Sequence, residues 1–415
     1  MGEGLHAPTC RGVNPLPQRQ PESGWGHPSP VDAQTPHASR RDVASNFVTA
    51  KAAVLYRAGQ PLSIEEVQVQ LPQRGEVLVR MKAAGVCHSD LHVMKGDLHM
   101  PMPIIPGHEG AGIIENIGEG VTSVAVGDHV IPIWRASCGQ CEYCLSGRPA
   151  LCEMGTRMRF EGVMPDGTMR FRNRAGEAIR HYAGVSTFAS LSTMPEAAVV
   201  RIPADYRFEH AALLGCGVIT GVGAVTNAAR IHPGCTVAVF GVGGIGLNIV
   251  QGARIMGARR IIAVDIHATK EAKARELGAT HFVNPCTCDP VQAIKELTDG
   301  KGADYAFESI GLPRPIEQAY DATRKGGTCV VAGICRADAR AQINVNQLVY
   351  AEKTLKGTLY GSMRPRVDLL TLIEMHRAGQ LRLDELLTRT YPLEEINEAY
   401  AALERGELAR SLIVY

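Results

Sequence analysis

Cys138, Cys141, Cys144 and Cys152 follow one another with the spacing C-x2-C-x2-C-x7-C. No other feature constrains the folding of this chain as tightly. Three thiols at such short intervals can converge only on a small centre, and the fourth closes a loop around it. Zinc fits best, because a closed structural site takes four thiolates in a tetrahedron. The alternatives are a pair of disulfides or four unrelated buried thiols. Disulfides belong to oxidising compartments, and nothing in the sequence says export. The spacing points to metal but to no activity, because many folds carry a zinc knuckle.

Composition narrows the class. At 415 residues, two domains of ordinary size are expected. A formal net charge of +1 gives no broad field toward nucleic acid or a membrane surface. Neither is expected as a partner, and no apolar stretch is read as approaching the length of a membrane span. Of twelve cysteines, six stand where metal ligands are argued, and Cys10, Cys235, Cys286, Cys288, Cys329 and Cys335 are scattered. Isolated thiols suit a reducing cytosol, so a cytoplasmic location is expected. Residues 1–47 are rich in Pro, Gly and His, without apolar periodicity, and lack the apolar core of a secretory signal. Arg40 and Arg41 would suit a transit peptide, whereas Glu3, Glu22 and Asp32 would not. We read this stretch as a disordered extension or an over-extended start, outside the fold.

The chain then shows two textures. Ala52–Tyr56, Glu76–Met81, Gly110–Ile117 and Asp128–Ile133 are short strand-like runs between turn residues. They predict an irregular antiparallel β domain or barrel. After about Gly217, strands and helices alternate from Thr236–Phe240 to Thr328–Ala332, which predicts βαβ units and a parallel sheet. Beyond Thr358 two helical segments lead to a final strand that returns to the first domain. The expected division is 48–217 with 358–415 for one domain and 218–357 for the other.

Within the second texture, Gly241-Val242-Gly243-Gly244-Ile245-Gly246 follows a strand and opens a helix. G-x-G-x-x-G in that context is a dinucleotide site. Gly241 permits the turn, Gly243 lets backbone amides approach a pyrophosphate, and Gly246 lets helix and strand pack closely. The helix N-terminus adds unpaired donors and partial positive charge. Asp265 ends the next strand, where a carboxylate accepts from ribose hydroxyls and repels a 2′-phosphate, favouring NAD over NADP. Lys270 could lie over the adenosine ribose, or simply be solvated.

A second metal set is spread through the chain. Cys87-His88-Ser89-Asp90 follows a strand, Gly107-His108-Glu109-Gly110 lies in the same half, and Cys216 stands between Gly215 and Gly217. Each alone has a dull explanation, a buried small apolar group or a hydrogen-bonding histidine. Together they read as two thiolates and an imidazole with an open fourth position, the pattern of catalytic zinc. Such a metal lowers the pKa of a bound alcohol, and a zinc-bound alkoxide can expel hydride toward a nicotinamide ring.

These motifs, with Met164-Pro-Asp-Gly-Thr168 and Gly215-Cys-Gly-Val-Ile-Thr220, resemble the zinc-dependent medium-chain alcohol dehydrogenases. The branch is the long-loop one that includes liver-type and thiol-linked formaldehyde dehydrogenases, and the likeness runs from about Ala50 to Tyr415. It implies a GroES-like irregular β-barrel catalytic domain plus a Rossmann doubly wound parallel sheet, an α/β fold. It implies two zinc ions per chain, one catalytic on Cys87, His108 and Cys216 and one structural on the four-cysteine run, with NAD as cofactor. Glu109 matches an acid near the metal, and Asp90 a partner of the zinc-bound imidazole. Ser89 and His92 match a proton relay through the nicotinamide ribose. His88, often Arg in the family, and Arg410 match pyrophosphate contacts. Thr220, Gly244 and Ile245 join the cofactor-binding set. Trp134 matches a pocket wall that would favour primary over secondary alcohols. The implied activity is reversible oxidation of primary aliphatic or aromatic alcohols to aldehydes. The alternative is a thiol-dependent formaldehyde dehydrogenase acting on an S-hydroxymethyl adduct. In glutathione-type enzymes Arg stands at the position of Thr156 and an acid at that of Leu98; neither is present, though Arg157 and Asp97 are adjacent. A non-enzymatic zinc- and nucleotide-binding relative would lack the full set of Cys87, His108, Cys216, Ser89 and His92. So would a zinc-free quinone or enoyl reductase. The long segment from Cys152 to Cys216 implies a homodimer paired through the cofactor-domain sheets, with a tetramer as the alternative.

Overall fold

The computed structural model describes residues 46–406 and 409–415. The expected extension lies outside the described residues up to position 45, as does Cys10, and Phe47 already opens the strand Phe47–Val54. In Ser63–Gln70, Val67 and Val69 are buried while Glu66 and Gln68 face water. That period of two is what a half-buried strand requires. With Phe47–Val54, Phe171–Arg172, Ala178–His181 and Ile104–Ile105 it forms a five-stranded sheet. A seven-stranded sheet is centred on Glu76–Gly85, which pairs antiparallel with Gly110–Ile117, Leu191–Pro195 and the C-terminal strand Arg410–Val414. Residues of both sheets share one core, among them Val54, Val69, Leu78, Ala84, Phe171 and Ile413. This is the irregular β-barrel of the expected fold class.

The six-stranded sheet is parallel throughout. Its order is His281–Val283, Arg260–Val264, Thr236–Phe240, Ala303–Glu308, Thr323–Val331, Thr354–Gly357. Ranked by sequence this is 3-2-1-4-5-6, the doubly wound arrangement whose ligand crevice opens at the switch between the first and fourth strands. Thr236–Phe240 is buried at every position, as a parallel strand covered on both faces must be.

One expectation is corrected. Phe208–Ala229 forms a helical run of 22 residues, long and apolar enough by length and composition to cross a membrane, yet its apolar window is 89% buried inside the protein. It is a core helix, disguised in the sequence by Gly215, Gly217, Gly221 and Gly223. At Gly221 a Cβ would stand 2.5 Å from the Cβ of Asn248, so glycine there lets this helix press against the helix Gly244–Ile255. The boundary set at 217/218 falls within this run. Two of its stretches, Leu214–Val218 and Ala224–Ala229, are π-helical.

Candidate active site

The strand Glu76–Gly85 delivers the chain to Cys87, which caps the helix His88–Lys95 without spending its side chain on a cap bond. One turn later Asp90 is fully buried. Its Oδ1 accepts from the Gly107 amide at 2.9 Å and faces His108 Nδ1 at 3.1 Å. His108 thereby turns Nε2 toward Cys216, 3.2 Å from Sγ. Cys216 sits in the first π-helical stretch, an irregularity common at functional sites. Cys87, His108, Glu109 and Cys216 are all buried and offer ligand atoms within 4.8 Å of one another.

Such crowding asks for a cation. The Cys87 thiol is pushed well below the ordinary range, chiefly by the neighbouring Cys216 thiol, and Cys216 is pushed well above by the same neighbour. Burial raises the Glu109 carboxyl to about 7 against the pull of Arg410. Arg410 holds Glu109 Oε1 in an ion pair, while Oε2 is buried with no hydrogen-bond partner. Two thiols, an imidazole nitrogen and a half-satisfied carboxylate fit a divalent ion, and the sulfur content favours zinc.

Aromatic rings wall this centre. Trp134 stands edge-on to His108 at 5.9 Å and tilts against Tyr360 at 4.8 Å. Tyr182 meets His108 at 5.6 Å and donates to the Ser89 carbonyl at 3.3 Å. Tyr360, Gly361 and Ser362 run in succession through left-handed backbone, with φ of 54°, 66° and 52°. Each non-glycine residue there costs about 1–2 kcal/mol. The Tyr360 hydroxyl donates to the Gly215 carbonyl at 2.5 Å, tying the loop to the Cys216 segment. Arg159 is buried beside Tyr182 and donates to its hydroxyl at 2.6 Å, its guanidinium carbon 4.2 Å from the ring centre. It has no carboxylate partner among the described residues. Tyr182, Tyr360 and Arg159 carry no local sequence signal, since each is placed by the curl of the sheets or by the return of the chain.

Ser89 is half-buried on the first turn of its helix. His92 Nδ1 lies 3.0 Å from Asp97 Oδ2, so the acid noted in the sequence beside Leu98 orients the His92 ring. Thr156 accepts from the buried Arg135 at 2.8 Å, and Arg157 donates to the Pro165 carbonyl. A cavity of about 400 Å³ adjoins this helix. It lies between Lys95, Asp97 and His99 on one wall and Arg336 and Asp338 on the other.

At the glycine turn, Gly241 has φ +87°, and a Cβ on Gly246 would stand 1.8 Å from the Gly241 carbonyl oxygen. A Cβ on Gly243 would meet nothing within 4 Å, so open space faces the N-terminus of the helix Gly244–Ile255, which has no side-chain cap. Those free amides and that space fit a pyrophosphate. Ile245 packs on the core. Arg410 lies against both Gly244 and Gly217, so one guanidinium joins the metal-ligating cluster to the glycine turn. His88 keeps contact with solvent. Partial desolvation beside the chain, with Arg410 and Lys270 adding to it and Cys87 opposing it, holds its pKa below the ordinary value. Asp265 is buried and already engaged, with Oδ2 accepting from Val242 N at 3.0 Å and from Lys270 Nζ at 3.1 Å. Thr220 is buried one turn beyond Cys216.

Cys138, Cys141, Cys144 and Cys152 bring four ligand atoms within 4.8 Å of one another, and all are free thiols. Amide groups already point at sulfur, Cys138 N at Cys152 Sγ and Cys141 N at Cys138 Sγ, both 3.3 Å. Four convergent sulfurs with amide donors fit a tetrahedral ion.

Residues 73–204 match the family model of the alcohol dehydrogenase GroES-like domain, and residues 244–375 that of zinc-binding dehydrogenases. An S-(hydroxymethyl)glutathione dehydrogenase of Synechocystis sp. is 42% identical over 369 residues, covering 88% of this chain and 100% of the relative. An NDMA-dependent alcohol dehydrogenase of Amycolatopsis methanolica is 42% identical, covering 88% and 98%. The crystal structure of a benzyl alcohol dehydrogenase from Acinetobacter calcoaceticus superposes with a TM-score of 0.84 at 35% identity, covering 88% and 99%.

Proposed function

The chain belongs to the zinc-dependent medium-chain alcohol dehydrogenase family, and from that premise we propose that it oxidises primary alcohols reversibly to aldehydes with NAD+ as hydride acceptor. The observation that carries this reading is the buried convergence of Cys87, His108 and Cys216, joined through Glu109 and Arg410 to the glycine turn.

Cys87, His108 and Cys216 would hold a catalytic zinc, and Cys138, Cys141, Cys144 and Cys152 a structural one, two ions per chain. When bound, the metal polarises the substrate hydroxyl and the nicotinamide accepts the hydride. The chain's own groups do the rest. Asp90 keeps the proton of His108 on Nδ1, so Nε2 keeps its lone pair. Ser89 takes the hydrogen bond of the substrate hydroxyl, and His92, oriented by Asp97, hands the proton to water. The uncapped helix N-terminus, Arg410 and His88 receive the pyrophosphate. Asp265 receives the ribose hydroxyls, and its charge disfavours a 2′-phosphate. Trp134 narrows the space beside His108, which disfavours a branched carbinol. The outermost strand Thr354–Gly357, with its own Leu355 and Val345, Val349 and Tyr350 of the preceding helix exposed, supports pairing of two copies through this sheet. The unpaired thiols suit the reducing cytoplasm.

A second reading is oxidation of an S-hydroxymethyl thiol adduct. It is supported by the name of the Synechocystis relative and by Arg159, a buried cation with no acid beside it among the described residues, able to meet a carboxylate. An assay panel separates the two by following NAD+ reduction with ethanol, longer primary alcohols, benzyl alcohol, a secondary alcohol, and formaldehyde with and without glutathione or other thiols. Turnover of primary alcohols alone supports the first reading, and activity only with formaldehyde plus a thiol overturns it. Metal analysis giving fewer than two zinc ions per chain overturns the two-zinc assignment.

A further inference from the structure

A third cluster of metal-ligating side chains stands apart from both cysteine-bearing centres. His210 lies on the first turns of the helical run Phe208–Ala229, His376 in the last turn of the helix Pro365–Arg377, and Asp384 in the segment that follows. Their ligand atoms all lie within 4.8 Å of one another. From this geometry we propose that the trio is a third divalent transition-metal site, open to solvent and distinct from the two zinc positions.

The donor set carries the chemical class. Two imidazoles and one carboxylate suit Zn2+, Co2+ or Ni2+, whereas Mg2+ and Ca2+ prefer oxygen alone. The spacing is close to that of a metal site. Ligand atoms each about 2.0–2.2 Å from a tetrahedral zinc stand roughly 3.3–3.6 Å apart; His210 Nε2 now lies 2.9 Å from Asp384 Oδ1, a hydrogen-bond distance that an ion would open by about half an ångström. The two imidazole rings are 4.7 Å apart in a T-shaped pair. Two of the three ligands are held in place. His210 is buried, and the Tyr206 hydroxyl lies 2.8 Å from His376 Nδ1, with its ring edge-on to the imidazole. A ligand fixed by an outer hydrogen bond loses less freedom on binding. Asp384 is exposed, so an ion can reach the site and water can complete the coordination. Arg207 Nη1, 3.6 Å from Asp384 Oδ1, is a competing cation and makes this site weaker than one built of four thiolates. An ion here would join the end of Pro365–Arg377 to the start of the helix that bears Cys216.

The test titrates the zinc-loaded protein with Zn2+ or Co2+ by equilibrium dialysis and metal analysis, comparing wild type with Asp384→Ala and His376→Gln. Both substitutions fall on side chains that are exposed or half-buried. The wild type is expected to take up one more equivalent than either variant. Resident zinc should be equal in all three, so the result does not depend on which alcohol the enzyme oxidises. Added Zn2+ should also raise the Tm of the wild type and leave both variants unmoved. Equal uptake by the three proteins, or an equal rise in Tm, overturns the proposal.

Discussion

Both carboxylate oxygens of Asp90 face Nδ1 of His108, at 3.1 and 3.0 Å, with the pair shut off from water. Asp90 also anchors the Gly107 amide, so one side chain fixes the backbone and the ring of the histidine that faces Cys216. Asp90→Asn keeps the shape and the amide bond but removes the charge that favours the Nδ1–H form. The expected outcome is a 10–100-fold loss of zinc affinity, roughly the size of such outer-partner effects. Competition with a chelator measures it. Equal rates of zinc loss from the two proteins would show that Asp90 is only a structural anchor.

Cys141 tests the division of labour between the two sulfur-bearing centres. The four-cysteine lobe is far from Ser89 and His92 in sequence and offers no open ligand position, so its metal should serve folding alone. Cys141→Ala should lose about one zinc per chain and lower Tm, with residual activity tracking the folded fraction. A variant that stays fully folded and active with one zinc missing would refute the structural assignment.

The site was legible where chemistry and spacing coincide. The four cysteines, Cys87-His88-Ser89-Asp90 and the glycine turn are local patterns, each demanding particular residue types over a few positions. Cys216 was legible only beside the others, since a cysteine between glycines has no signature of its own. The helix around it was not. Glycine is the weakest ordinary helix former, and four of them within nine residues hide a helix until the close approach to Asn248 is seen. Tyr182 and Ser89 are 93 residues apart, and Tyr360 and Gly215 are 145 apart. Contacts of that separation are set by tertiary packing and leave no periodic trace. Strand ends shifted for the same reason. Glu76–Met81 lengthens to Glu76–Gly85 because the C-terminal strand pairs with its far end.

Asp265 offers a prediction about cofactor choice. Its carboxylate is tied to the Val242 amide and to Lys270, so removing it both ends the repulsion of a 2′-phosphate and frees an ammonium to meet one. Asp265→Ala should shift the ratio of kcat/KM for NADP+ over NAD+ upward by about 10–100-fold, the ~1.5–3 kcal/mol of a hydrogen bond to a charged group. Steady-state kinetics with both cofactors decides it. An unchanged ratio would mean that the ribose lies elsewhere.

His181 gives the fold a defined acid limit. It is fully buried, its Nε2 accepts from the Arg170 amide at 3.0 Å, and its Nδ1 has no hydrogen-bond partner. Burial, helped by the Arg170 guanidinium, holds its pKa down to about 3. The unfolded chain titrates near the ordinary 6.5. Between about pH 6.5 and 3 the unfolded state therefore binds a proton that the native state refuses, and unfolding gains ground as pH falls. The contribution of His181 is complete above pH 6.5 and should decline by roughly 1.4 kcal/mol per pH unit below it. His181→Gln keeps an acceptor for the Arg170 amide and cannot titrate. Zinc ligands also take up protons in acid, but they do so in both proteins, so the difference between the two curves isolates His181. Thermal unfolding from pH 7.5 to 5 should show the wild type losing Tm faster than the variant below pH 6.5, with the two curves parallel above it. Curves that stay parallel over the whole range would mean that His181 is protonated in the folded protein.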